Sequence, residues 1–293
     1  MCADGGLRLR YRLVTHGGLV VISDLDGTLL DHDTYSFDAA RPALDRLRAD
    51  GVPLVLCTSK TRAETEALRR ALENDHPFIV ENGGAVVIPN GYFSFAIDIA
   101  GAEVRETTTI VPIGDPYDTL VSALARASAE SGVRVRGFAE MTDAEVAHAT
   151  GLATEQARLA RQREFDEPFE VLDDGDAAPL LDAITRAGKR WTAGGRFYHI
   201  TGASDKARAV RLLTDLYRRQ RGAVKTIGLG DAPNDIAFLQ EVDVPIVIAS
   251  PRSSEVASAV VGAVVTRLPG PQGWNEAMST RGTGDWGLGI RGW

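Results

Sequence analysis

The stretch "VVISDLDGTLL", residues 20–30, ends a run of apolar residues with two aspartates, Asp24 and Asp26. The apolar run is continuous rather than alternating, which is typical of a strand covered on both faces in a parallel sheet. Aspartates that follow such a strand lie at its carboxyl end, where open α/β sheets bind their ligands. Asp-Gly is also a common turn dipeptide, so this stretch alone leaves a solvated acidic turn as an alternative.

The rest of the pattern predicts an α/β fold with a doubly wound, Rossmann-like parallel sheet. Buried strands alternate with amphipathic helices, and the connections between them are short. The predicted strands are "GLVVIS" (18–23), "VPLVLC" (52–57), "FIV" (78–80), "KTIGLG" (225–230) and "VPIVIAS" (244–250).

The pattern of predicted elements changes between residues 90 and 195, where short strands of alternating polarity are mixed with amphipathic helices. We interpret this segment as an inserted α+β cap domain of the C2 type. The catalytic core is then discontinuous, with residues 1–89 and 196–275. Residues 276–293 form a Gly-rich C-terminal tail, whose composition favours a loose segment.

Composition places the chain among ordinary globular proteins and limits its partners. The 293 residues carry a formal net charge of −8 and two cysteines. This charge argues against a nucleic-acid or anionic-membrane partner, so an anionic substrate requires a local basic pocket. No apolar stretch is long enough to span a membrane, and the N-terminus lacks a signal-peptide core. We expect a cytoplasmic protein, either a monomer or a homodimer.

Three later motifs give the aspartates a context. In "LCTSK", Thr58 ends a predicted strand and could bind an anion, although a helix cap is the commoner role. In "GASDKARAV", Lys206 opens a helix, where a surface lysine is the plain alternative. In "IGLGDAPNDIAFL", Asp231 and Asp235 follow a strand, and an Asx turn is the alternative. Together with Asp24, these carboxylates form an oxygen-rich set suited to Mg²⁺.

The order of the four motifs resembles the haloacid dehalogenase-like phosphatase superfamily, in its Cof-type branch. The resemblance implies that Asp24 is the nucleophile and that Asp26 is the general acid and base. It makes Thr58 and Lys206 the groups that orient the phosphate. The implied Mg²⁺ ligands are Asp24, the backbone carbonyl of Asp26, Asp231, and Asp235 either directly or through water.

Within that branch the chain resembles the mannosyl-3-phosphoglycerate phosphatase family, through segments of core and cap that include "CTSKTRAE" and "ARQREFDEPFEVL". This resemblance implies that a small phosphorylated glycoside, mannosyl-3-phosphoglycerate, is hydrolysed to mannosylglycerate and phosphate. The glucosyl analogue and other sugar phosphates remain alternatives. Candidate substrate-binding residues are Ser59, Lys60, Arg163, Arg196 and Asn234, with Lys189 as a further cation.

Other interpretations stay open at this stage. A phosphomutase would use the same nucleophile, and a catalytically silent sugar-phosphate-binding protein would keep the fold. The segment "ENGG" (81–84) is first of all a turn, and His32 and His199 are assigned structural roles. "GASDKARAV" lacks a second glycine that the family pattern would place before the Asp-Lys pair, which puts the geometry of that loop in doubt.

Overall fold

The computed structural model describes residues 18–173, 176–193 and 197–279. Its strands are β1 (Gly18–Ser23), β2 (Leu54–Cys57), β3 (Phe78–Val80), β4 (Ala85–Pro89), β5 (Glu103–Val104), β6 (Thr108–Pro112), β7 (Val135–Gly137), β8 (Asp166–Val171), β9 (Arg190–Ala193), β10 (Tyr198–Thr201), β11 (Val224–Gly230), β12 (Val244–Ala249) and β13 (Val264–Pro269). Its helices are α1 (Arg41–Ala49), α2 (Arg62–Ala71), α3 (Tyr117–Ser131), α4 (Asp143–Thr150), α5 (Thr154–Ala160), α6 (Ala178–Arg186), α7 (Lys206–Arg221), α8 (Ile236–Leu239), α9 (Ser253–Ala259) and α10 (Gly270–Ser279). Short 3-10 helices cover Asp38–Ala40, Phe138–Glu140 and Pro233–Asp235.

Nine strands form one large sheet in the order β13-β12-β11-β1-β2-β3-β4-β6-β5. The strands from β13 to β3 run parallel, and β4, β6 and β5 extend the sheet in antiparallel fashion. The chain moves from β1 to β2 and β3 on one side and returns through β11 to β13 on the other. The boundary between β1 and β11 is therefore a topological switch point, the position at which open sheets bind ligands. The predicted doubly wound α/β fold is confirmed.

Both faces of the large sheet are buried, which explains why its central strands are continuously apolar. Val21 packs on one face with Trp274 of α10. Its neighbour Ile22 packs on the other face with Leu213 of α7 and Phe238 of α8. Since successive residues of a strand point to opposite faces, a strand covered on both sides needs apolar residues at every position.

A second, four-stranded antiparallel sheet has the order β7-β8-β10-β9. Helices α3 and α6 cover one of its faces, where Leu120 and Ile184 pack with Phe169 and Ile200. The opposite face is partly covered by α4 and α5, with Arg136 of β7 paired to Glu145 of α4. On this face, Pro168 and His199 line a cleft that also contains Asp26.

The points at which the chain passes from one sheet to the other differ from the domain boundaries expected at residues 90 and 195. Strands β5 and β6 belong to the large sheet, with Ile110 opposite Val87, and β10 belongs to the second sheet, with Tyr198 opposite Phe169. Antiparallel strands with alternating polarity look alike in sequence whichever sheet they join. We propose that the inserted cap comprises the segment between β6 and α7.

The expected C-terminal tail begins inside a helix. Residues 276–279 complete α10, in which Trp274 and Met278 are buried. The segment "GPQG" (270–273) is typical of a loop, which is why the sequence hides the start of this helix. Residues 280–293 lie outside the described residues, so the predicted loose tail stays a prediction there. Among the described helices, none is long and apolar enough to cross a membrane.

Candidate active site

Asp24 lies at the switch point, directly after β1. Its backbone N–H donates to the carbonyl of Leu229 at 2.9 Å, which continues the β1–β11 pairing by one residue. The residue is only 6% exposed. A carboxylate in this position is shielded from water, so its charge must be balanced by neighbouring groups rather than by solvent.

Lys206 supplies the balancing positive charge. Its Nζ donates to Asp24 Oδ1 at 2.9 Å and to Asp235 Oδ1 at 2.7 Å, and the side chain is buried. Lys206 is the first residue of α7, whose N-cap Asp205 accepts the N–H groups of Ala207 and Arg208. Burial alone would lower the pKa of Lys206, but the Asp235 and Asp24 carboxylates outweigh it and raise the pKa well above its ordinary value. The lysine is therefore a permanently charged group at the base of the site.

Asp231 and Asp235 follow β11 and complete an acidic cluster with Asp24. One carboxylate oxygen from each of the three lies within 4.8 Å of the others. Thr28 donates its hydroxyl to Asp231 Oδ1 at 2.8 Å. A Cβ at Gly27 would lie 2.7 Å from Asp231 Oδ2, so only glycine fits the turn beneath this carboxylate. The sequence placed these carboxylates at strand ends, and the structure brings them together.

The cluster suits a hard divalent cation. Burial, followed by the neighbouring Asp235, raises the pKa of Asp24 well above its ordinary value. Burial and Asp235 also raise the pKa of Asp231 to about 6. Three carboxylates facing one lysine leave an excess of negative charge, and oxygen ligands of this kind fit Mg²⁺. The residues present therefore fit the predicted metal.

The two oxygens of Asp235 are both engaged within the protein. Oδ1 accepts from Lys206, and Oδ2 accepts the backbone N–H groups of Asp231 and Ala232 at 3.1 Å each. Asp235 is fully buried. These contacts make Asp235 the residue that holds both the lysine and the loop of Asp231 in place.

Asp26 is separate from the acidic cluster and pairs with Lys60. Lys60 Nζ lies 2.8 Å from Asp26 Oδ1, and the ammonium lies 4.9 Å from the ring centroid of Tyr35. Burial lowers the pKa of Lys60, but Asp26 and then Glu64 outweigh it and the net change is upward. The contact uses Oδ1 of Asp26, and Asp26 lines the cleft between the two sheets.

Thr58 follows β2 and is fully buried. Its hydroxyl oxygen accepts the backbone N–H of Lys60 at 3.1 Å, as expected of a residue that caps a turn. Because this contact uses an acceptor lone pair, the hydroxyl hydrogen can donate to an anion. The neighbouring Ser59 accepts a hydrogen bond at its carbonyl from Arg163 Nη1 at 3.1 Å. The two alternatives for Thr58, cap and anion ligand, are thus compatible.

A cleft of about 160 Å³ opens between the large sheet and the second sheet. Arg163, in the connection from α5 to β8, lies in its wall and donates Nε to the carbonyl of Ala160 at 2.9 Å. The cleft is lined on the large-sheet side by Asp26, Ser59 and Lys60, and on the other side by Arg163, Phe138, Phe197 and His199.

The remaining candidate residues lie elsewhere. Asn234 is exposed and donates to Asn82 Oδ1 at 3.3 Å. Lys189 forms an ion pair with Asp115 and is not among the residues that line the cleft. Arg196 lies outside the described residues, so its role stays a prediction.

Sequence reasoning missed the buried residues that join the two parts of the chain. Glu81, in the turn after β3, is fully buried and accepts the N–H groups of Glu164 and Phe165. Asp166 is also fully buried and accepts a hydrogen bond from His199 at 3.0 Å. The only local signal was an ionisable residue next to an apolar strand. A contact between segments more than 80 residues apart leaves no periodic pattern that could reveal it.

Comparisons with known proteins identify the family of the chain. The haloacid dehalogenase-like hydrolase family matches residues 21–263. A glucosyl-3-phosphoglycerate/mannosyl-3-phosphoglycerate phosphatase from Methanococcoides burtonii is 42% identical, over 88% of this chain and 95% of the relative. A mannosyl-3-phosphoglycerate phosphatase from Pyrococcus horikoshii is 34% identical, over 79% and 90% of the two chains.

Solved structures share the fold. A phosphatase of the haloalkanoate enzyme superfamily from Bacteroides thetaiotaomicron superposes with a TM-score of 0.62 at 20% identity, over 96% of this chain and 100% of the other. A subclass IIB sugar phosphatase of the superfamily gives a TM-score of 0.59 at 17% identity, over 90% and 99%. The matches in sequence show that the chain belongs to the haloacid dehalogenase-like hydrolase family, as a phosphatase.

Proposed function

We propose that the protein is a Mg²⁺-dependent phosphatase that hydrolyses mannosyl-3-phosphoglycerate to mannosylglycerate and phosphate. The observation that carries the chemistry is the buried cluster of Asp24, Lys206, Asp231 and Asp235 at the switch point. The substrate is supported by the names of the relatives at 42% and 34% identity. Since one relative is named for both sugars, we expect the glucosyl analogue to be accepted as well. The predicted cytoplasmic location stays a prediction.

Neutralising charge is the first requirement of the reaction, because a phosphate monoester dianion repels an approaching carboxylate. Lys206 provides one positive charge beside Asp24, and the Thr58 hydroxyl can donate to a phosphoryl oxygen. Bound by Asp24, Asp231 and the backbone carbonyl of Asp26, Mg²⁺ would supply the remaining positive charge. Asp235, with both oxygens engaged, would reach the metal through water.

The chemical steps follow from two carboxylates with different tasks. A carboxylate oxygen of Asp24 forms a bond to phosphorus while the ester bond to the glycerate oxygen breaks. Asp26, acting as the general acid, gives a proton to that leaving oxygen. In the second step Asp26 takes a proton from a water molecule, whose oxygen attacks phosphorus. The acyl phosphate bond then breaks, which releases phosphate and restores the Asp24 carboxylate.

The cleft provides candidate contacts for the rest of the substrate. Lys60 can exchange its contact with Asp26 for a phosphoryl oxygen, and Ser59 lies beside it. Arg163 offers the planar donor set that suits a carboxylate. Asn234 lies beside the acidic cluster in sequence but is exposed, and we expect it to contribute less.

The test is phosphate release in the presence of Mg²⁺ from a panel of substrates. The panel contains mannosyl- and glucosyl-3-phosphoglycerate, 3-phosphoglycerate, sucrose phosphate and mannose 6-phosphate. We expect kcat/KM to be highest for the glycosyl-3-phosphoglycerates. A higher value for another sugar phosphate would overturn the substrate while leaving the phosphatase chemistry.

The same assay distinguishes the two other interpretations. A phosphomutase would require a bisphosphate activator and would return its phosphoryl group to the sugar, whereas we expect free phosphate without an activator. A silent binding protein would bind the panel and release no phosphate. The intact set of Asp24, Asp26, Lys206 and Asp231 argues against that protein class.

A further inference from the structure

His199 faces the cleft from the second sheet. Along β10, Tyr198 and Ile200 pack into the core formed with α3 and α6. Because side chains alternate along a strand, His199 points to the opposite face. It lies opposite Pro168 of β8, and both residues line the cleft that also contains Asp26. The side chain is 22% exposed, so one edge of the ring is accessible to a ligand.

Asp166 holds His199 and Arg163 together. Asp166 is fully buried and accepts from His199 Nδ1 at 3.0 Å, and its other oxygen lies 3.8 Å from Arg163 Nη1. Burial raises the pKa of Asp166, but His199 and Arg163 outweigh it, so the net change is downward and the carboxylate is ionised. One buried negative charge thus contacts two side chains that line the same cleft.

These contacts leave specific atoms for a ligand. The contact with Asp166 uses Nδ1 of His199 and presents Nε2 to the cleft. The hydrogen bonds of Arg163 to Ala160 and Ser59 use Nε and Nη1, so within the described ranges Nη2 is the donor that remains for a ligand. An anionic group could accept a hydrogen bond from Nη2 of Arg163 and, when the ring is protonated, from Nε2 of His199.

We propose that His199, together with Arg163, binds the carboxylate of the substrate's glycerate unit, and that Asp166 is the residue that positions both. The inference rests on the proposed function and names the residues that bind the substrate's second anionic group, the carboxylate. The phosphate and the carboxylate occupy opposite ends of the glycerate carbon chain. The phosphate lies at Asp24 and Lys206, and the carboxylate lies on the cap side of the cleft, where Arg163 and His199 meet.

The apolar part of the same wall fits the remaining component of the substrate. Phe138 and Phe197 pack edge to face with ring centroids 5.1 Å apart, and both line the cleft. Aromatic faces of this kind suit the C–H surface of a sugar ring. A ligand with one phosphate, one carboxylate and one sugar therefore finds a separate contact region for each part.

The test compares two substrates that differ only in the carboxylate. These are mannosyl-3-phosphoglycerate and its analogue in which the carboxylate is reduced to a hydroxymethyl group. The measured quantity is kcat/KM for the carboxylate substrate divided by kcat/KM for the reduced analogue. His199→Asn keeps a side-chain N–H close to the position of Nδ1, so it retains the contact with Asp166 and removes the group that faces the cleft. We expect the ratio to fall by roughly tenfold or more, mainly through KM for the carboxylate substrate.

The matched control is His148→Asn, because His148 lies on α4 of the cap and lines a different depression. This variant is expected to keep the wild-type ratio. Thermal unfolding is measured for every variant, and His199→Ala, which has no group that reaches the cleft, replaces His199→Asn if that variant does not fold. An unchanged ratio in the folded His199 variant would overturn the inference. Absence of phosphate release from either substrate by the wild-type protein would instead overturn the proposed function.

Discussion

Gly83 and Asp205 approach so closely that a Cβ atom at residue 83 would lie 2.3 Å from the carbonyl carbon of Asp205. Gly83 follows β3 and has a φ of +85°. Its carbonyl accepts the N–H of Asp205 at 3.4 Å. Because Asp205 is the N-cap of α7, this contact determines where the helix that carries Lys206 begins. The turn "ENGG" therefore packs against the start of the helix that carries Lys206.

Gly83→Ala tests this relationship. The added Cβ meets backbone atoms of Asp205 and Lys206, and the positive φ adds strain. We expect the free energy of unfolding to fall by about 2–4 kcal/mol and phosphate release to fall with it. The control is Gly132→Ala, at the end of α3, where φ is +72° and an added methyl group would meet no atom of the described residues within 4 Å. Its cost is expected to be about 1 kcal/mol from φ alone, without loss of activity. Equal effects in chemical denaturation would contradict the packing argument.

Replacement of Asp24, the proposed nucleophile, gives the most direct prediction for the mechanism. Asp24→Asn keeps the shape of the side chain but removes the oxygen nucleophile, so phosphate release should fall by at least about a thousandfold. Asp33→Asn, at an exposed position in the loop after β1, is the control and should retain activity. Turnover close to the wild-type rate in Asp24→Asn would exclude an aspartyl-phosphate at this residue.

The acidic cluster predicts that Asp231→Asn stabilises the metal-free protein but weakens the stabilisation by Mg²⁺. The pKa of Asp231 is raised to about 6 in the folded, metal-free protein, so its contribution to stability is lost as the pH rises through that value. Asp231→Asn retains an oxygen for the Thr28 hydroxyl and removes the repulsion. At pH 8 without metal, it should raise the free energy of unfolding by about 1–3 kcal/mol.

With Mg²⁺ present, the wild-type protein should be more stable than Asp231→Asn. The wild-type protein is expected to gain thermal stability with MgCl₂, because the ion binds only the folded cluster, and to lose activity in excess EDTA. Asp231→Asn should show a smaller rise in Tm. Asp45→Asn on the exposed face of α1 should respond to Mg²⁺ like the wild type. Full activity in EDTA would rule out the metal.

Strand ends could be found from the sequence, because the direction of the chain fixes which end of a buried strand is the carboxyl end. Asp24, Thr58 and Asp231 follow predicted strands, and parallel pairing then brings them to one edge. The limits of the cap could not be found this way. Strand β6 extends the large sheet by antiparallel pairing, and its alternating polarity is equally typical of a separate small sheet.

The residues that join core and cap were hidden for a different reason. His199 fits no role that the four motifs require, and alternation in "YHIT" indicates two faces without telling which one meets a ligand. Glu81 is a buried acid whose partners Glu164 and Phe165 lie more than 80 residues away in the chain, and Asp166 is a buried acid that contacts His199 on another strand. Their surroundings depend on how the cap packs, and a single sequence carries no local pattern for that contact.

Glu81 provides a prediction about stability and pH. Burial raises the pKa of its carboxyl to about 8 in the folded protein, against an ordinary value of 4.5, although Arg163 opposes the change. A folded-state pKa above the unfolded one means that stability is fully present below about pH 4.5 and is lost as the pH rises through about 8. Glu81→Gln still accepts the N–H groups of Glu164 and Phe165 but cannot ionise. We expect its free energy of unfolding to depend less on pH between about 5 and 9, by roughly 2–5 kcal/mol at the upper end.

The measurement for Glu81 is urea denaturation at several pH values in this range. Glu255→Gln on the exposed part of α9 is the matched control and should follow the wild-type curve. Parallel stability curves for the wild type and Glu81→Gln would show that this carboxyl does not titrate between the folded and unfolded states in that range.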